Sequence, residues 1–87
     1  MARVTERRGH RVLQAETEAE RALLAASARE GQIILRAAYY VVCGAWVLLP
    51  ARITVRGAER VRRALEAAAA AHTEALRRRR AFRLVED

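Results

Sequence analysis

Seventeen consecutive residues, Ile33 to Leu49, carry a single charge, Arg36, and every reading of the chain turns on where this run is buried. As a helix it spans about 26 Å at roughly 1.5 Å per residue, just short of a hydrocarbon core of about 30 Å. Arg36 lies one turn from the start, where its side chain can snorkel to lipid headgroups. Trp46 lies near the other end, where an indole suits the interface. Arg52, Arg56, Arg60, Arg62 and Arg63 follow the run closely, against Arg21 and Arg29 before it. A spanning helix would therefore leave the C-terminal half in the cytoplasm. The run begins too deep in the chain for a cleavable leader, and it leads into Pro50-Ala51-Arg52 and a basic segment.

Two other dispositions fit the same residues. The run can be the buried helix of a three-helix bundle, with Gln32, Arg36 and Tyr40 as its wetter stripe. It can also be one arm of a β-hairpin, because every odd position from Ile33 through Val55 is apolar, while the even set includes Gln32, Arg36, Gly44, Pro50, Arg52, Thr54 and Arg56. Arms over 32–43 and 46–56 with a turn at Gly44-Ala45 follow from that alternation, and Pro50 must then occupy an edge or bulge position.

The flanks read as helices. Over 10–30, Val12, Ala15, Ala19, Ala22, Leu23 and Ala26 recur at three- and four-residue steps, and Gly31 can cap the end. Over 57–82, Val61, Leu65, Ala68, His72 and Leu76 share one face, while Glu59 with Arg63, Arg62 with Glu66, and Glu74 with Arg78 are i,i+4 pairs. The head Met1–Arg8 and the tail Ala81–Asp87 are expected to fray. The expected fold is all-α, one small domain over 1–87 of two or three helices around a central hydrophobic helix over 32–49. The alternative is an α+β helix–β-hairpin–helix.

That alternative has Gly31 and Gly44 bracketing an apolar strand, then Leu48-Leu49, then Ala51-Arg52-Ile53 leading into the last helix. Over about residues 17–70 this layout resembles the gas-vesicle shell protein family. The resemblance implies self-assembly, with the odd-numbered apolar face buried between subunits. Arg36, Ala37 and Ala38 stand where that family's first strand carries acidic and tryptophan positions.

Little in the chain carries covalent chemistry. His10, His72 and Cys43 lie in three different segments without metal-ligand spacing, Ser27 has no partner base in sight, and no phosphate-binding glycine loop occurs. The expectation is a non-enzyme with no cofactor and no metal. One cysteine excludes an intramolecular disulfide. A core built from 87 residues rarely supplies more than about 3–5 kcal/mol, so help from a partner or lipid is expected.

The net charge of +7 sits mostly after Pro50, where ten arginines face five acids. Arg77, Arg78, Arg79 and Arg80 can meet lipid headgroups or, without sequence specificity, nucleic-acid phosphates. The function expected first is a small membrane-associated accessory or assembly protein of a larger complex or homo-oligomer. In it Ile33, Ile34, Leu35, Val41, Val42, Trp46, Val47, Leu48 and Leu49 pack against lipid or a protein partner. A soluble self-assembling shell protein and a basic nucleic-acid-binding module are the alternatives.

Overall fold

Three two-residue turns set the architecture. The computed structural model describes the backbone of residues 1–28 and 30–86 and the side chains within that range up to residue 81. Its elements are β1 (Arg3–Arg7), β2 (His10–Gln14), α1 (Glu18–Ser27), β3 (Gln32–Leu35), β4 (Ala38–Cys43), β5 (Trp46–Leu48) and α2 (Val55–Glu86). Arg8 (φ 52°) and Gly9 (φ 79°) join β1 to β2, and Arg36 (φ 51°) and Ala37 (φ 65°) join β3 to β4. Both have the paired positive φ of a type I′ turn, whose twist matches the strands it connects. Gly44 (φ 64°) alone is positive in the β4–β5 turn, as at the first central position of type II′.

The five strands form one antiparallel sheet in the order β1-β2-β5-β4-β3. After β2 the chain crosses through α1 to the far edge, then meanders back until β5 pairs with β2. Leu13, Val47 and Val42 face one side of the sheet and meet Leu24 of α1 and Val61 and Leu65 of α2 in a single core. α2 buries Ala58, Val61, Leu65 and Ala69, a helical stripe spaced by three or four residues. Its start is capped by the Thr54 hydroxyl, which accepts the Gly57 N–H at 2.9 Å. Along its outer face Glu59 and Arg63, Arg62 and Glu66, and Glu74 and Arg78 pair at 3.4, 3.4 and 3.8 Å. The hydrogen bond from Arg62 holds the Glu59 carboxyl below its usual range.

One buried charge ties the N-terminal strand to α1. Thr17 caps α1, with its hydroxyl accepting the Glu20 N–H at 3.1 Å, and the Glu20 carboxylate reaches back to complete a capping box. Glu20 Oε1 accepts from Thr17 N–H (3.0 Å), Thr17 Oγ1 (2.9 Å) and Glu16 N–H (3.3 Å), while Oε2 accepts Ala2 N–H at 2.7 Å. Glu20 is only 2% exposed. Burial pushes its carboxyl up, but the donors from Thr17, Glu16 and Ala2 together outweigh that and hold it below its ordinary value.

Several expectations are overturned here. The fold is α+β, not all-α, and the run Ile33–Leu49 is no central helix: most of it forms β3, β4 and β5. Among the described residues no helix is long and apolar enough to cross a membrane. Membrane association through a hydrophobic helix, with the C-terminal half held in the cytoplasm, therefore loses its basis. The helix over 10–30 is a strand followed by a shorter helix, so Val12 and Ala15 leave the helical stripe. The head does not fray, since β1 is paired throughout and Ala2 is buried. The helix–hairpin–helix layout also fails. Its turn at Gly44-Ala45 is present, but its first arm folds at Arg36-Ala37 into two strands, its second stops at Leu48 before Pro50, and β1 and β2 extend the sheet. Arg29, Asp87 and the side chains from Phe82 on lie outside the described residues.

The four donors around Glu20 yield a test with a defined sign. A carboxyl held low in the folded state contributes stability that is complete above its unfolded pKa of about 4.3 and is lost as pH falls through the folded value. Glu20→Gln, which turns one acceptor into a donor facing donors, is expected to cost about 1–3 kcal/mol at pH 7. It is also expected to flatten the loss of stability below about pH 4.3. Urea titrations of both proteins at pH 7 and pH 3.5 check this; equal differences at the two pH values would contradict it.

Candidate functional site

Because strand residues alternate sides, each two-residue turn passes the core-facing role from odd to even positions and back. In β3 the core takes Ile33 and Leu35; in β4 it takes Val42, with Tyr40 half-buried; in β5 it takes Val47. The residues between them face the other side, which no helix covers. Across that open face run the rows Thr5–Val12–Leu48–Val41–Gln32 and Gln14–Trp46–Cys43. Ile34 and Tyr39 are opposed beside them.

The open face has two unlike halves. Over β1, β2 and β5, Arg7 and Trp46 stand at opposite ends and meet, with the guanidinium 5.7 Å from the indole centroid. Their contact closes over the Thr5–Val12–Leu48 row. Val12 is therefore 0% exposed without a helix above it, and the Thr5 hydroxyl is buried without a hydrogen-bond partner. A cation over an indole contributes about 0.5–1 kcal/mol when exposed and more when desolvated. Over β3 and β4 nothing comparable exists. Ile34 is 59% exposed, Tyr39 68% and Val41 44%, three large side chains side by side.

This bare half adjoins an unprotected edge. The Val42 N–H donates to the Gly31 carbonyl at 3.0 Å. By the alternation of an antiparallel ladder, Ile33–Tyr40 and Leu35–Ala38 are then the bonded pairs, and the backbone groups of Gln32 and Ile34 point outward. The sequence of β3, Gln-Ile-Ile-Leu, has no charge to discourage pairing; the opposite edge, β1, carries Arg3, Glu6 and Arg7.

The residues singled out from the sequence are divided by the fold. Ile33, Leu35, Val42, Val47 and Leu49 are core; Ile34 and Val41 are exposed on the open face, and Trp46 and Leu48 are half-buried there. Tyr39 was missed, and only the turn at Arg36-Ala37 could have assigned it to the face that Ile34 occupies. Arg77, Arg78, Arg79 and Arg80 are exposed on α2 beyond the core. Arg78 pairs with Glu74, and Arg77 and Arg80 share a shallow groove with Glu18 of α1. Among the described residues no three His, Cys, Asp or Glu side chains are placed to hold a metal ion. His10 and His72 lie in β2 and α2, and Cys43 is half-buried in β4.

No protein family, curated protein or solved structure matches the chain. The layout shared with gas-vesicle shell proteins is thus neither supported by comparison nor kept by the fold.

Arg36 and Ala37 hold a conformation that costs an L-residue roughly 1–2 kcal/mol each, without a glycine to relieve it. Ala37→Gly is expected to stabilise the protein by about 0.5–1 kcal/mol after the glycine's own entropy cost, raising Tm by a few degrees. A lower Tm in a thermal melt would show that this turn lacks the paired positive φ.

Proposed function

We propose that the chain is a non-catalytic assembly module that buries the bare half of its sheet against a protein partner, in the first instance a second copy of itself. The observation that carries this reading is the coincidence of Ile34, Tyr39 and Val41, all exposed, with an uncharged edge strand whose outward backbone groups have no partner among the described residues. An exposed apolar patch beside a free edge is the surface that proteins normally protect. Face-to-face packing of the open sides of two copies, about a two-fold axis parallel to the sheets, would set the Ile34, Tyr39 and Val41 side chains of one chain against those of the other and bury both patches at once. The small core adds a motive, since a module of this size gains from intermolecular burial.

Two features weigh against reading the open face as a nucleic-acid platform. Its indole is already engaged by Arg7, and its exposed large apolar side chains besides Tyr39 are the aliphatic Ile34 and Val41. Stacking platforms need accessible aromatic faces.

Sedimentation equilibrium from about 5 to 500 µM tests the reading, a range that spans weak to moderate association. The wild-type chain is expected to dimerise. Ile34→Lys and Val41→Lys are expected to raise the dissociation constant at least about tenfold, each removing a large apolar contact and placing like charges across the axis. A monomer throughout that range, or a dimer indifferent to both substitutions, would overturn the reading.

A further inference from the structure

The helix-covered side of the sheet is incomplete at one corner. Between the β3–β4 hairpin and the first turns of α2 lies an open cleft of about 510 Å³, within the range of small-molecule sites. Its floor is apolar, made by Leu35, Tyr40, Ile53, Val61 and Ala64. Its rim carries Arg36, Arg52 and Arg60, and no acidic residue lines it. Among the described residues none of these three arginines has a carboxylate within 4.0 Å, whereas Arg62 and Arg63 on the same helix are both paired.

From this we infer that the cleft is a binding site for a small amphipathic anion, an apolar chain or ring bearing one carboxylate or phosphate group. Charge and shape select that class together. Three guanidinium groups around one opening repel each other until a counter-anion sits among them, and guanidinium matches carboxylate and phosphate geometry with paired hydrogen bonds. A bare inorganic anion would leave the apolar floor wet; a neutral apolar molecule would leave the rim uncompensated. The strained turn contributes directly. Arg36 occupies a backbone conformation that arginine rarely adopts, at the point where the hairpin presents its residue to the rim. The cleft lies on the opposite side of the sheet from Ile34, Tyr39 and Val41, so the inference does not rest on the assembly reading.

Calorimetric titration of the full chain with decanoate, decanol, decyl phosphate and inorganic phosphate tests it. Decanoate or decyl phosphate is expected to bind at one site per chain, and which of the two binds more tightly identifies the headgroup. Decanol and inorganic phosphate should each bind at least about tenfold more weakly. Arg52→Gln with Arg60→Gln should weaken the anionic amphiphile at least about tenfold, with Tm held within a few degrees, since both side chains are solvent-facing and unpaired. Ala38→Leu, which narrows the cleft from an exposed position, should weaken it as well, and Ile34→Lys should not. Equal binding of decanol, equal binding of inorganic phosphate, insensitivity to the arginine substitutions, or no binding by either anionic amphiphile would each overturn the inference.

Discussion

A two-residue turn reverses the parity of the residues that face the core, and this chain makes that reversal three times. Between Ile33 and Leu49 it happens twice, at Arg36-Ala37 and at Gly44-Ala45. Leu35 and Ala38 are opposed across the first turn and Cys43 and Trp46 across the second. The core set is therefore odd in β3, even in β4 and odd again in β5. The uninterrupted apolar character of the run follows from this geometry. β4 contributes Tyr40 and Val42 inward and Tyr39 and Val41 outward, so both its faces are apolar and both need cover. The helices reach only one.

Cover on that one side is organised around a carboxylate. Glu20 is too deeply buried to be tolerated without full compensation, and it receives four donors from three residues of two different segments. Those bonds fix where α1 begins relative to Ala2, and hence where Leu24 meets Leu13 and Leu65 in the core. With α1 only ten residues long and rich in alanine, its position matters more than its bulk. α2 supplies the greater reach. At about 1.5 Å per residue its 32 residues account for most of the 51 Å long axis, so its C-terminal half extends well past the sheet.

What was legible in the sequence follows the range of the forces involved. α2 could be read because its signals are local: all three charge pairs one turn apart are present, and of the apolar face Val61 and Leu65 are buried and Ala68 and His72 half-buried, while Leu76 is exposed beyond the core. The sheet could not, because a seventeen-residue apolar run satisfies helix length and strand alternation equally. Continuous odd-position apolarity from Ile33 to Val55 looked like a single face, yet it mixes core residues of β3 and β5 with outward residues of β4. A glycine at Ala37 would have exposed the turn. Arg36-Ala37 hides it, since neither residue favours positive φ. At the other end Gly9 marked a turn, but Val12 and Ala15 happened to fall in phase with Ala19, Ala22 and Ala26, and local periodicity absorbed a strand that only pairing with β1 and β5 defines. The exposed patch was legible in part, through Ile34 and Val41. Tyr39 and the division between open face and core depended on the hidden turn.

The same turn explains how one short hairpin can serve two surfaces. Alternation sends Ile34, Tyr39 and Val41 to the open side and Leu35 and Tyr40 to the cleft, so consecutive residues belong to separate sites and neither set has to compromise for the other. Had the connection contained one residue more, the register of β4 would shift and exchange its faces, placing Tyr39 under α2 and Tyr40 in the open. A strained but two-residue connection is thus the condition for both surfaces. The roughly 1–2 kcal/mol per residue stored at Arg36 and Ala37 is of the same order as the roughly 1.5–3 kcal/mol contributed by burying Val42 in a core that contains Leu13, Val47 and Leu65.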